Sequence, residues 1–235
     1  MTDIRTVPLL DVPRGNAPLR DEIITAITAV IDSGRFLFGP DVQILEAECA
    51  RWSGTAHGVG CASGSDALLL SLMAMEIKPG DEVICPSFTF FATASTVTRL
   101  GATPVFVDID PVTFNIDPAA LEAAITPNTK AVIPVHLFGQ CADMPRIMEI
   151  CNRTGLAVIE DAAQAIGANI AGRAAGSWGQ VGCISFYPTK NLGGFGDGGM
   201  LTTNNADFED RLRLFAGHGM RPRYHHQVIG INSRL

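Results

Sequence analysis

Leu156-Ala157-Val158-Ile159-Glu160-Asp161-Ala162-Ala163-Gln164 runs from apolar residues through two adjacent carboxylates into small residues. Its first part, Leu156–Glu160, reads as a strand. It is apolar without alternation, the pattern of a strand covered on both faces. The same reading upstream gives strands at His57–Cys61, Glu82–Cys85, Pro104–Asp108 and Ala131–His136, and downstream at Val181–Phe186. Helical spacing falls between them, at Ser65–Glu76, Thr89–Leu100, Pro118–Ile125 and Met144–Thr154, with a further short helix expected at Ala162–Ile166. Asp117 followed by Pro118 is a helix N-terminal signature. This alternation predicts an α/β fold with three layers, a mainly parallel sheet with helices on both faces. Ligands of such sheets sit beyond the carboxyl ends of the strands.

The rest of the chain fits that plan. Pro8, Pro13, Gly15 and Pro18 break the first 20 residues, predicting an irregular N-terminal arm over 1–20 before a large domain over 21–235. Ile23, Ile24, Ile27, Val30 and Ile31 then predict a helix stopped by Gly34. Val42, Leu45, Cys49 and Trp52 predict another, capped by Asp41 and stopped by Gly54. Hydrophobic residues make up 47% and charged residues 17%, which excludes a disordered chain and a collagen-like fibre. The net charge is −7 with no basic cluster, so no nucleic-acid partner is expected. No apolar run is long enough to cross a bilayer, and the Met1–Val7 start lacks a secretory signal, so no membrane partner and a cytoplasmic location are expected. Six scattered cysteines without a CxxC pair read as reduced, mostly buried thiols.

Three strand ends carry chemistry. Cys61-Ala-Ser-Gly-Ser-Asp-Ala67 leads into an apolar helix, so Gly64 and Ser65 place backbone N–H groups and a hydroxyl where a phosphate can bind. Asp161 follows its strand as a carboxylate able to pair with a cationic ligand atom. Lys190, in Ser185-Phe-Tyr-Pro-Thr-Lys-Asn-Leu192, is followed by Gly193, Gly194, Gly196, Gly198 and Gly199, which leave the backbone around it open. Each has an ordinary reading alone: a helix cap, a second cap and a solvated lysine. The glycines form neither a GxxxxGK[ST] loop nor a GxGxxG fingerprint, and the adjacent His225 and His226 have no partners at metal-ligand spacing, so no metal is expected. Together the three ends meet the needs of pyridoxal 5'-phosphate: a phosphate cradle, an acid for its ring nitrogen and a lysine for an imine. Phe88, Phe90 and Phe91 follow a further strand end and offer an aromatic face.

In these motifs the chain resembles the nucleotide-sugar aminotransferases of the DegT/StrS type. The likeness extends from about Phe36 to Leu235. It rests on Ser63–Leu68, Pro86–Phe90, Val135–Gln140, Glu160–Gln164, Ser185–Asn191, Gly196–Gly199 and Asn232–Leu235. The resemblance implies an aspartate-aminotransferase-like large domain, that is, pyridoxal-phosphate fold type I. It implies Lys190 as the Schiff-base lysine, Asp161 on the pyridine nitrogen, Gln164 near the ring hydroxyl and Phe90 stacked on the ring. Gly64, Ser65 and Ser185 match phosphate ligands, and Asn232 an asparagine that reaches the phosphate of a partner subunit in a homodimer. The implied reaction moves an amino group from an amino acid, typically glutamate, to a keto group of a nucleotide-linked sugar.

Some relatives that lack the lysine are dehydratases, and Lys190 is present here. Ser65 stands where threonine is commoner, with the hydroxyl kept. Family members continue past the Asn-Ser-Arg-Leu motif where this sequence stops, so a large domain without its C-terminal small domain is expected. The alternatives left open are an inactive fragment of such an enzyme, a pyridoxal-phosphate relative that does not transaminate, and an unrelated nucleotide-binding α/β protein. Arg221, Arg223 and Arg234 are candidate contacts for a nucleotide diphosphate.

Overall fold

A computed structural model describes residues 7–235; the first six residues of the expected arm, and with them most of the Met1–Val7 start, lie outside the described residues. The chain divides into two compact units, up to Gly39 and from Pro40 to Leu235. The first unit holds α1 (Val12–Asn16), a 3-10 turn (Ala17–Leu19) and α2 (Arg20–Ser33). The arm expected to be irregular is thus helical from Val12. Asp11 accepts the Arg14 N–H, and Pro13 sits in the first turn, where a missing N–H does no harm. Gly34 ends α2 at φ +64°, the left-handed conformation that glycine adopts without strain.

The second unit carries α3 (Pro40–Ser53), β1 (His57–Cys61), α4 (Gly64–Ala74), β2 (Glu82–Pro86), α5 (Phe91–Arg99), β3 (Thr103–Val107) and α6 (Pro118–Ala123). It continues with β4 (Thr129–Val132), α7 (Met144–Thr154), β5 (Ala157–Asp161), the hairpin β6 (Asn169–Ile170) and β7 (Arg173–Ala174), β8 (Val181–Ser185), β9 (Gly199–Thr203) and α8 (Ala206–Ala216). Seven strands form one sheet in the order β1-β9-β8-β5-β4-β2-β3. Pairing is parallel from β8 through β3, whereas β9 runs antiparallel to both β8 and β1. Gly199 pairs with Cys61 on one side and Ser185 on the other, so β1 and β8 end level with each other, flanking β9.

The strands are apolar throughout because both faces are covered. Val83, Cys85, Ile133, Ile159 and Cys183 pack with α4, α5 and α8, while Ile84, Val132 and Val158 pack with α6 and α7. That division follows the two-residue period of a strand. Helix α4 is buried almost all round, since α5 and α8 lie against it as well as the sheet.

Three local expectations are corrected. Ala162–Ile166 is a set of turns: the Ala162 N–H is taken by Cys183 O and the chain reverses at Gly167, φ +85°. Asp41 lies inside the first turn of α3, which Pro40 opens, and is not a cap. Strand β9 and helix α8 were not anticipated. Among the described residues no helix is long and apolar enough to cross a membrane.

Candidate active site

The ends of β1, β2, β5 and β8 open on one cavity of about 550 Å³. Gly64, Ser65, Phe90, Asp161, Gln164, Ser185 and Lys190 all line it. Seven of the eight residues singled out from the sequence therefore meet; Asn232 is exposed and outside the lining.

The cradle is built at the start of α4. Ser63 caps the helix by accepting the Asp66 N–H at 3.0 Å, and the Ala67 N–H goes to Ser63 O. Gly64 and Ser65 are the first two helical residues, so their N–H groups have no intrahelical acceptor. A Cβ on Gly64 would stand 2.7 Å from Ser185 Cβ and 3.3 Å from Ser185 Cα, so only glycine lets this helix end meet β8. Ser233, from the Asn-Ser-Arg-Leu segment, ties the cradle from outside: it donates to Asp66 at 2.6 Å and accepts the Ala62 N–H at 3.0 Å.

Asp161 is 6% exposed. Its Oδ2 accepts the Thr93 hydroxyl at 2.9 Å and its Oδ1 the Ala163 N–H at 3.2 Å. Both donors are neutral, and among the described residues no salt bridge reaches it. Burial accordingly holds its carboxyl above the usual carboxylate range, with the Thr93 and Ala163 hydrogen bonds opposing. Lys190, which lines the same cavity, also opposes burial but forms no ion pair with Asp161.

Gln164 accepts the Phe138 N–H at 2.7 Å through Oε1, which pins Phe138 at φ +54° and leaves the amide NH2 as the donor Gln164 offers the cavity. Lys190 is half-buried on the β8–β9 connection. Hydrogen bonds from Phe186 N to Gly198 O and from Gly194 N to Phe186 O close that loop, and Lys190 N to Tyr187 O forms its turn. A Cβ on Gly193 would meet Pro188 O at 2.3 Å, so the glycines serve close approach. Phe90 is mostly exposed at the mouth and precedes α5 in extended backbone.

Behind Asp161 stands a second, closed network. Glu160 and His136 are both fully buried, and His136 Nε2 lies 2.9 Å from Glu160 Oε2. His136 Nδ1 accepts the Ala142 N–H, so the ring proton is on Nε2 and donates to Glu160. Glu160 also accepts N–H groups from Gly176, Trp178 and Gly179. Neither this pair nor Thr93 was singled out from the sequence. Arg221 is paired with Asp210 and Arg223 lies over Tyr224 on an exposed loop; neither, nor Arg234, lines the cavity. All six cysteines are unpaired, and burial pushes each thiol up, so none is a ready nucleophile.

Residues 18–235 match the DegT/DnrJ/EryC1/StrS aminotransferase family. The chain belongs to that family. It is 56% identical over 235 residues to the UDP-N-acetyl-3-dehydro-alpha-D-glucosamine 3-aminotransferase of Acidithiobacillus ferrooxidans, covering 100% of this chain and 64% of that protein. DesV of S. venezuelae, solved in complex with a ketimine intermediate, superposes with a TM-score of 0.94 at 48% identity over 97% of this chain and 62% of that one. NtdA of Bacillus subtilis, solved with bound cofactor PMP, gives 0.91 at 38% identity over 99% of this chain and 54% of that one. The chain thus spans less than two thirds of the length of these relatives. The fold is that of the pyridoxal-phosphate aminotransferases, and pyridoxal phosphate is the family's cofactor. The cavity fits that group on three counts: the free N–H groups of the cradle that a Cβ would fill, a buried carboxylate with no ion-pair partner among the described residues, and a lysine in the wall.

Proposed function

We propose that the protein is a pyridoxal-phosphate-dependent aminotransferase that moves an amino group from an amino acid, glutamate first, to a keto group of a nucleotide-linked sugar. The observation that carries this reading is the convergence of Lys190, Asp161 and the Gly64–Ser65 cradle on one cavity, in a chain of this family. Lys190 would hold the cofactor covalently, the cradle with Ser185 its phosphate, Asp161 its ring nitrogen and Gln164 its ring oxygen. When bound, the cofactor acts as an electron sink for a carbanion at the amino-bearing carbon. Asp161 keeps a proton on the ring nitrogen by supplying the counter-charge. Phe90 covers the ring face and excludes water at the mouth. With the donor's amine in its place on the cofactor, Lys190 Nζ, the one lysine lining the cavity, would be free to hold the proton that leaves the donor's α-carbon. The presence of Lys190 favours transamination over the chemistry of lysine-lacking relatives.

We read the working form as a cytoplasmic homodimer. Asn232 is exposed and outside its own cavity, which supports its reaching the phosphate site of a second copy. The name of the Acidithiobacillus relative makes a UDP-linked 3-keto sugar the first acceptor to try. Protein loaded with pyridoxal phosphate is given glutamate, and 2-oxoglutarate is measured; one equivalent per site is expected without acceptor, and turnover once the keto sugar is added. Loaded protein that releases no 2-oxoglutarate from glutamate and aminates no keto sugar from any donor contradicts the proposal.

A further inference from the structure

Thr93 stands in the first turn of α5, fully buried, and its hydroxyl is 2.9 Å from Asp161 Oδ2. It is also 2.9 Å from the hydroxyl of Thr89, which lines the cavity. A hydroxyl has a single proton. Thr93 gives its proton to Asp161, so Thr89 donates to Thr93, and the pair forms a chain directed at the carboxylate. The Ala163 N–H holds the other oxygen from the end of β5. Asp161 is therefore gripped from two elements, and both grips are uncharged. A lysine or arginine in either place would cancel the charge; a hydroxyl and an amide fix the carboxylate and leave its charge to the cavity.

We propose that Thr93, braced by Thr89, is a positioning residue that sets the orientation of the Asp161 carboxylate for a protonated aromatic ring nitrogen. This rests on the reading of the cavity as a pyridoxal-phosphate site. A merely structural role predicts equal losses for any ligand of the same shape. Positioning of Asp161 predicts a loss only for ligands that carry the nitrogen.

The test compares pyridoxal phosphate with its analogue in which the ring nitrogen is replaced by carbon. Binding of each is measured by titration to wild type, Thr93→Val and Thr93→Ser, with thermal melts confirming that the variants fold. Wild type should prefer the nitrogen-containing cofactor. Thr93→Val should weaken that cofactor about tenfold, as expected for a hydrogen bond to a charged group, and leave the carbon analogue within about twofold. Thr93→Ser, which keeps the hydroxyl, should restore the preference. If Thr93→Val weakens both ligands in parallel, or neither, the proposal is overturned while the cofactor reading stands. If wild type itself does not distinguish the two, the pairing of Asp161 with the ring nitrogen fails, and the proposal with it. If Thr93→Val does not fold, the Thr93→Ser result decides: a preference lost despite the retained hydroxyl overturns the proposal, and one retained supports it.

Discussion

Glu160 and Asp161 are neighbours on β5 with opposite fates. Successive strand residues face opposite sides of a sheet, so Glu160 turns to the 176–179 segment and Asp161 to the cavity. Glu160 accepts four hydrogen bonds, from three backbone amides and His136, and has no access to a ligand. Asp161 accepts two, both neutral, and borders 550 Å³ of open space. A buried carboxylate with all its lone pairs engaged is scaffold; one left short of donors beside an open cavity is a binding group. Donor count, more than burial, separates them.

The comparison breaks most visibly at Glu160. Glu160→Ala leaves three backbone amides and a buried histidine unpaired, and is expected to destabilise the protein by about 3–5 kcal/mol. Urea unfolding measures this; a loss no larger than that of Asp161→Asn would erase the distinction.

Asp161→Asn should act the other way. Cofactor affinity is expected to fall on the order of 100-fold, since a charged partner of the ring nitrogen is removed. Cofactor-free stability should rise at neutral pH. The folded carboxyl titrates above its unfolded value of about 3.9. Between those two values the native state holds more protons, so wild-type stability falls as pH rises. Asparagine has no charge to acquire. Melts of the cofactor-free proteins should therefore coincide near pH 4 and separate, in favour of the variant, as pH rises through the raised folded value. Wild type that stays the more stable at neutral pH without cofactor would contradict the assignment.

Gly64→Ala sharpens the account of the cradle. The added carbon meets Ser185 backbone-anchored atoms on β8, so the start of α4 must move. Pyridoxal phosphate binding should weaken about tenfold and stability fall by about 1–2 kcal/mol, with pyridoxal, which lacks the phosphate, losing much less. Equal losses for the two would mean that Gly64 matters only for packing.

Much of this was legible in the sequence, for reasons visible in particular elements. His57–Cys61 and Met144–Thr154 emerge with the bounds their patterns predict, because one is a buried apolar run and the other has an apolar stripe closed by Gly155. The strand ends led to seven cavity residues because topology places all parallel carboxyl ends on one edge. Strand β9 escaped because Gly199 and two threonines dilute its apolar signal, although every residue in it is buried. Helix α8 does carry a signal: Asn205 caps it by accepting the Phe208 N–H, and Leu212 is on its buried face. The His136–Glu160 pair lies 24 residues apart in sequence, and it depends on how the chain beyond β4 meets β5. No spacing rule encodes that. Thr93 was hidden among Ala92, Ala94, Thr96 and Val97, one of two threonines buried on this helix, and Asp161 is 68 positions away.

The proposed function stands on Lys190 as the residue that carries the cofactor. The chain has three lysines, Lys78, Lys130 and Lys190, so the claim can be read directly. Purified protein is mixed with pyridoxal phosphate, its absorbance recorded, the product reduced with borohydride and the modified peptide mapped, with Lys190→Ala alongside. A visible imine band in wild type, a reduced adduct on Lys190, and neither in the variant are expected. A folded wild-type protein without the band, or an adduct on Lys78 or Lys130 that survives in Lys190→Ala, would contradict it.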